Sequence, residues 1–277
     1  MIIIKTQNLL TAYLKKLKIK NIKLGFVPTM GALHQGHVSL INAARAENDC
    51  VICSIFINPT QFNNQSDFKH YPVTIEKDIE KLVSAGCDIL FLPHEKEIYN
   101  TAFFKEHYNL GYLENILEGE YRPGHFQGVC QVVDILLSMV SPHQLYLGQK
   151  DYQQCMVIKS LMDQKNFNGI DIKIMPTIRE EDGLAMSSRN LRLSKDQRKK
   201  AVHIYKTLLY IKENYGTKPV EALQKQAIKE LEENGFIVDY VAIVDTLTLK
   251  DIENNKAIAL VAASVDNIRL IDNLILN

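Results

Sequence analysis

Several features that would point to a protein class at once are missing from this sequence. Neither charge is in surplus: 32 lysines and arginines balance 32 aspartates and glutamates. Nucleic-acid and membrane-surface binders rely on a basic field. Neither kind of partner is expected here, and an anionic ligand must be held by local arrangement. No apolar run approaches the roughly 18 residues that a membrane span needs. The opening MIIIKTQNLL meets charge too soon for a signal peptide. The expectation is a soluble, cytoplasmic protein. Cysteines number five, too few and too apolar in setting for a disulfide framework. Cys50 and Cys53 form a C-x-x-C within CVICSIFI, but zinc would need a second pair and none follows. Two common phosphate motifs, G-x-G-x-x-G and G-x-x-x-x-G-K-[ST], are also missing. That counts against a dinucleotide oxidoreductase and a P-loop ATPase. No internal repeat or low-complexity tract occurs.

What is present is an ordinary globular composition, 46% hydrophobic over 277 residues, enough for one large domain or two smaller ones. KLGFVP (23–28) reads as a strand, GHVSLINAARAEN (36–48) as a helix with apolar residues at helical spacing, and CVICSIFI (50–57) as a strand covered on both faces. The alternation continues with a helix over 74–86, a strand over 88–93, a helix over 126–140, a strand over 144–148, a helix over 151–164 and a strand over 170–176. Such alternation predicts an α/β fold, a Rossmann-like, doubly wound parallel sheet, with ligands at the carboxyl ends of its strands. Beyond residue 176 the pattern changes. Two amphipathic helices (194–216 and 220–235) precede three strands (236–245, 256–265 and 267–276) with short connections. These suit a smaller C-terminal α+β domain. The expected boundaries are 1–176 and 177–277.

Five stretches carry residues that could do chemistry. In TMGALHQGHVSL (29–40), His34 and His37 sit three apart around Gly36 at a crossover into a helix. Helix N-termini favour phosphate, and imidazoles there can donate to its oxygens and offset charge during transfer. Gly31 and Gly36 would let backbone approach a ligand. The pair could equally be structural or share a metal, although no carboxylate-rich partner stands nearby. SIFINPTQFN (54–63) ends a strand in Asn58, Thr60 and Gln61, whose carboxamides suit hydroxyls and carboxylates. RPGHFQGV (122–129) puts Arg122 and His125 in a loop before a helix. LGQKDYQQ (147–154) places Lys150, Asp151 and Gln154 at a strand end, with Asp151 read as the helix cap. PTIREEDGLAMSSRN (176–190) offers two serines and an arginine as a phosphate clamp. Four of the five lie at predicted strand ends, on what would be one rim.

Read in order, VPTMGALHQGH, FINPTQF, LEGEYRPGHFQGV, LGQKDYQQ and DGLAMSSRN resemble the motifs of the pantoate–β-alanine ligase family, the pantothenate synthetases. His34-Gln35-Gly36-His37 is similar to the H-x-G-H signature of a nucleotidyltransferase superfamily, and Met186-Ser187-Ser188-Arg189 resembles its mobile phosphate-binding loop. The resemblance implies that ATP, with Mg²⁺, and pantoate give a pantoyl adenylate and pyrophosphate. β-Alanine then takes the acyl group, yielding pantothenate and AMP, a step towards coenzyme A. No tightly bound organic cofactor or protein metal site is implied. The implied catalytic residues are His37, His34 and Lys150. ATP would be bound by Met30, Gly31, His34, His37, Gly148, Gln149, Lys150, Asp151, Ile178, Met186, Ser187, Ser188 and Arg189. Gln61, Gln154, Asn58, Tyr71 and Arg122 would serve pantoate and β-alanine. The resemblance further implies a homodimer, with residues 177–277 acting as a lid. Gln35 and Gln149 stand where the family usually has an acid, and Val73 where an arginine is common. Two rival activities share these motifs: a nucleotidyltransferase that needs no amine, and an inactive nucleotide-binding module.

Overall fold

A computed structural model describes residues 1–99, 106–253 and 256–277. The chain divides into two compact units. One comprises Met1–Gly148 and Gln154–Pro176, the other Gln149–Gln153 and Thr177–Asn277.

The first unit is built on six strands: β1 (Ile2–Ile4), β2 (Leu24–Thr29), β3 (Cys50–Ile55), β4 (Ile89–Phe91), β5 (Gln144–Gly148) and β6 (Asp171–Met175). Their order is β1-β4-β3-β2-β5-β6, and every pairing is parallel. Between them run the helices α1 (Gln7–Ile19), α2 (Gln35–Glu47), α3 (Gln65–Lys69), α4 (Ile75–Ser84), α5 (Glu95–Ile98), α6 (Glu118–Tyr121), α7 (His125–Val140) and α8 (Tyr152–Gln164). The expected α/β sheet is therefore the observed one. β3 explains the continuous apolar run. Val51, Cys53 and Ile55 pack with Leu40, Ile41, Ala44 and Leu82 from α2 and α4, while Cys50, Ile52 and Ser54 are buried on the opposite face. Successive strands are added outward on one side of β2, through β3 to β4, and on the other side through β5 to β6. Strand order reverses at β2 and β5, and ligands of open α/β sheets bind at such a switch point.

Five elements have no counterpart in the sequence reading: the short helices α3, α5 and α6, and the first two elements, β1 and α1. β1 pairs Ile2 with Ile89 and Ile4 with Phe91 at the sheet edge, and α1 follows, capped by Thr6 Oγ1 accepting from Leu9 N. Three residues are too few to display a strand period, and in β1 only Ile4 is buried.

The second unit places α9 (Lys195–Asn214) and α10 (Val220–Glu233) on an antiparallel sheet of β7 (Phe236–Asp245), β8 (Ala257–Val265) and β9 (Ile268–Ile275). Alternate residues of central β8, Ala257, Ala259, Val261 and Ala263, join Ile204, Leu208, Leu223 and Ala227 in one core. α9 starts as its sequence dictates. Ser194 Oγ accepts from Gln197 N at 3.2 Å while Gln197 Oε1 accepts from Ser194 N at 2.8 Å, a capping box. The β8–β9 connection is the expected tight turn, Asp266–Asn267, but the β7–β8 connection runs from 246 to 256.

Candidate active site

β2 ends at Thr29, and the chain must turn sharply to start α2 at Gln35. Gly31 makes that turn at φ +83°, where a Cβ would lie 3.0 Å from Ile55 Cγ2 and 3.2 Å from Asp78 Oδ2. Asp78, fully buried on α4, holds the turn. Its Oδ2 accepts from Ala32 N at 2.9 Å, its Oδ1 from Leu33 N at 2.8 Å and from Thr74 Oγ1 at 3.0 Å. Lys81 Nζ, one helical turn on, donates to the Leu33 carbonyl. A carboxylate bonded to backbone N–H groups makes charge-assisted bonds, the stronger kind.

The two imidazoles follow at once. His34 is the N-cap of α2: its Nδ1 accepts from Gly36 N at 3.2 Å, while His37 Nδ1 accepts from His34 N at 3.2 Å. The ring centroids are 4.0 Å apart. A neutral imidazole that accepts at Nδ1 carries its proton on Nε2. Both rings therefore cap the helix with one nitrogen and present a donor at the other. Among the described residues, no group of three or more His, Cys, Asp or Glu side chains comes together to hold a metal.

Gln61 stands beside this turn. Its Nε2 lies 3.0 Å from Met30 Sδ, and its Oε1 accepts from Asn58 Nδ2 at 3.2 Å. Asn58 is 1% exposed. Its Nδ2 also donates to the Gly128 carbonyl at 3.0 Å, and its Oδ1 accepts from Tyr99 Oη at 2.7 Å and from Thr60 Oγ1 at 3.0 Å. The carboxamide thus makes its hydrogen bonds inside the protein and fixes Gln61. Burial pushes the Tyr99 hydroxyl up to about 12, so it remains a donor. From α7, His125 Nδ1 lies 2.8 Å from the Gln61 carbonyl. Gly128 is the reason α7 can approach: a Cβ there would sit 2.4 Å from the Thr60 carbonyl oxygen. Three of the sequence stretches, around Met30, Gln61 and His125, are in this way one hydrogen-bonded cluster. Tyr71 is buried edge-on against Phe62, centroids 5.7 Å apart. Arg122 Nη1 reaches buried Glu118 Oε2 at 3.4 Å. Gln154 lies in the first turn of α8, partly buried, and Gly148 ends β5.

The remaining candidates belong to the second unit. Gln149, Lys150 and Asp151 form a 3₁₀ turn, with Lys150 Nζ 3.8 Å from Asp151 Oδ1. Asp151 ends that turn and directly precedes Tyr152, the first residue of α8. Ile178 and Met186 face each other across a tight loop, Met186 N donating to the Ile178 carbonyl at 3.0 Å. Ser187 caps a further 3₁₀ turn, Ser188–Arg192, its Oγ accepting from Arg189 N at 3.3 Å. Ser188 is buried and Arg189 partly so. The loop's shape depends on Gly183, at φ +90°, where a Cβ would meet the Tyr205 ring at 2.2 Å.

Sequence reasoning missed Asp78, Tyr99, Asp272 and Asn273. Asp78 had a signal: it shares the apolar face of its helix with Ile75, Ile79 and Leu82, where a carboxylate needs a partner. The other three lack one. The C-x-x-C cysteines are buried and reduced, as are the other three. Burial raises Cys50 and Cys130 to about 12, Cys87 to about 11, and Cys53 as well.

A six-stranded parallel sheet with two histidines in ring contact after its second strand defines a Rossmann-like α/β protein with a candidate site at its switch point. The family model describing pantoate-beta-alanine ligase matches residues 2–275. The pantothenate synthetase of Cytophaga hutchinsonii is 45% identical over 279 residues, covering 96% of each chain. That of Acetivibrio thermocellus is 41% identical, covering 99% of this chain and 98% of its own. Among solved structures, pantothenate synthetase from Thermus thermophilus superposes with a TM-score of 0.93 at 40% identity, covering 100% of this chain and 99% of its own. Pantoate-beta-alanine ligase from Francisella tularensis, complexed with β-γ ATP and β-alanine, gives 0.86 at 39% identity, covering 100% and 98%. The chain belongs to the pantoate–β-alanine ligase family and is an enzyme of that kind.

Proposed function

We propose that this enzyme makes pantothenate from pantoate, β-alanine and ATP through a pantoyl adenylate. The pantoate carboxylate attacks the α-phosphorus and pyrophosphate leaves. The β-alanine amine then attacks the acyl carbon, an amide bond forms and AMP leaves. The first step brings two anions together, so it needs positioning and charge neutralisation more than a strong base. The observation that carries this reading is the histidine pair, each ring accepting a backbone N–H at Nδ1. That geometry supplies two Nε2 donors for phosphate oxygens, with His37 the group that stabilises the transition state. The ATP-bound ligase of Francisella tularensis supports ATP and β-alanine as substrates.

In the same reading Lys150, Ser187, Ser188 and Arg189 hold phosphates, and Mg²⁺ enters as part of MgATP. Met30, Gly31, Gly148, Gln149 and Asp151 line the nucleotide, with Ile178 by the adenine. Gln61 and Gln154 take the pantoate hydroxyls and carboxylate. Arg122 and Tyr71 assist, and Asn58 acts by holding Gln61. A lid role for residues 177–277, a homodimer, a cytoplasmic setting and a place in coenzyme A formation belong to the same proposal. Among the described residues no helix is long and apolar enough to cross a membrane.

The test is pyrophosphate and AMP release with MgATP and pantoate, with and without β-alanine. Pyrophosphate on pantoate alone, with steady AMP only once β-alanine is added, is the expected result. No pantoate-dependent pyrophosphate would overturn the reading.

A further inference from the structure

The turn that carries Lys150 is held by the C-terminal strand. Asn273 of β9 is 1% exposed. Its Nδ2 donates to the Gln149 carbonyl and to the Lys150 carbonyl, both at 2.9 Å. Those carbonyls belong to the two peptide planes on either side of the Lys150 α-carbon. Peptide units are rigid, so fixing both planes fixes the backbone angles of Lys150 and the direction of its Cα–Cβ bond, from which the ammonium extends. The remaining carboxamide atom is also used: Asn273 Oδ1 accepts from Gln149 Nε2 at 3.1 Å. Gln149 stands where the family usually has an acid, and only its amide could supply that donor. Two carbonyls on one side also settle which amide atom is nitrogen.

Asn273 is itself braced. Its carbonyl accepts from Arg179 Nη2 at 3.2 Å. Arg179 grips neighbouring Asp272 in a bidentate pair at 2.6 and 3.1 Å, donates to the Gly183 carbonyl at 3.1 Å and stacks on Tyr205 at 3.9 Å. On the other flank Tyr152 Oη donates to the Thr246 carbonyl at 2.8 Å. Strand β9 therefore fixes both the lysine turn and the residue after Ile178. A surface lysine needs no such frame; one that must reach a defined phosphate does.

We propose that Asn273 is the positioning residue of Lys150, its carboxamide clamping the two flanking carbonyls so that the ammonium is aimed during phosphate transfer. The inference rests on the reading of Lys150 as a phosphate-holding residue. Asn273→Ala is expected to lower kcat for pantoate-dependent pyrophosphate release about 10–100-fold, the scale of a misplacement near 1 Å. The KM values for MgATP and pantoate are expected to move less than about threefold, because the loss falls on the transition state.

The decisive experiment is a cycle with Lys150→Ala, followed by single-turnover pyrophosphate release. If Asn273 acts through the lysine, Asn273→Ala has no further effect in the Lys150→Ala background. An equal loss in both backgrounds would mean a merely structural role and overturn the proposal. An active Asn273→Ala enzyme beside an impaired Lys150→Ala enzyme would overturn it while leaving the lysine's role standing. A Lys150→Ala enzyme with normal turnover would overturn the role of the lysine, and the inference with it. Should Asn273→Ala fail to fold, Asn273→Ser, which keeps one donor, is read against the same cycle. An intermediate kcat that disappears without the lysine supports the proposal, and a kcat equal to the parent's overturns it.

Discussion

Replacing Asp78 by asparagine tests whether one buried carboxylate shapes the turn that delivers both histidines. The change is nearly isosteric, so packing is kept and only the hydrogen-bond chemistry alters. Asparagine has one oxygen and one NH₂ group. With the oxygen kept at the Oδ1 position, the bonds from Leu33 N and Thr74 Oγ1 survive. The NH₂ group then faces Ala32 N, a donor against a donor, where the carboxylate accepted at 2.9 Å. Setting a donor against that buried N–H costs about 1–3 kcal/mol, and losing charge assistance on the other bonds adds roughly 1 kcal/mol. The sum, about 2–4 kcal/mol, corresponds to a fall in Tm of roughly 5–15 °C for a unit of this size. Released from Asp78, the Gly31–His34 turn shifts, and a displacement near 1 Å costs about 10²-fold in rate. A thermal melt and the pantoate-dependent pyrophosphate assay measure the two effects. A variant whose Tm falls by less than about 2 °C, a shift worth under 1 kcal/mol at this size, and which turns over normally would refute the reasoning.

His37→Ala should slow adenylate formation by roughly 10²–10³, the usual result of losing one transition-state donor; near-normal single-turnover rates would exclude that role. Gln61→Ala should weaken pantoate binding while ATP binding, followed by calorimetry, is unchanged. Gly128→Ala forces a Cβ to within 2.4 Å of the Thr60 carbonyl oxygen. Overpacking of that kind costs about 1–3 kcal/mol, and here it should raise the KM for pantoate because the Gln61 turn is displaced. The native thiols should resist a thiolate-selective reagent at pH 8. With a pKa raised to about 12 by burial, roughly one Cys50 or Cys130 side chain in ten thousand is ionised at that pH, against about a quarter when unfolded. Raised thiol pKa values favour the neutral folded form, so their contribution to stability is present below the unfolded pKa, about 8.5, and is lost as pH rises above it. Rapid labelling of the folded protein would contradict the burial.

Most strands and helices were legible where periodicity had room to repeat, although α1, 13 residues long with Leu10 and Leu14 on its buried face, was missed. β5 and β7 fall on the ranges read from the sequence, because each is a run of five or more apolar or alternating residues between clear stops. β1, with three residues at an edge, had no such room. The site was legible as five stretches, since glycines and strand-end polar residues stand out against apolar runs. What joins the stretches was not. Asn58 reads as a ligand-facing carboxamide at a strand end, yet its hydrogen bonds go to Gly128, seventy positions on, and to Gln61 and Tyr99. His125 reads as loop chemistry, yet its ring holds the Gln61 carbonyl. A polar residue in a sequence does not say whether its partner will be a substrate or another loop.

That ambiguity has a physical origin, and it points to where unrecognised positioning residues lie. A buried polar side chain must find partners, and backbone groups supply most of them. Asp78, Asn58 and Asn273 are each at most 1% exposed, and each bonds to backbone groups or carboxamides within the sequence stretches that carry the residues read as substrate-binding or catalytic. Charged and amide side chains are rarely buried without such partners. A sequence therefore shows the residues that face solvent in a loop, while those that fix the loop sit within helices and strands. Asp78 and Asn273 lie in α4 and β9; Asn273 follows Asp272 and gives no sign of its role, while Asp78 breaks the apolar face of its helix. The break is the available signal, and substituting such residues should alter turnover without any change to a group that touches substrate.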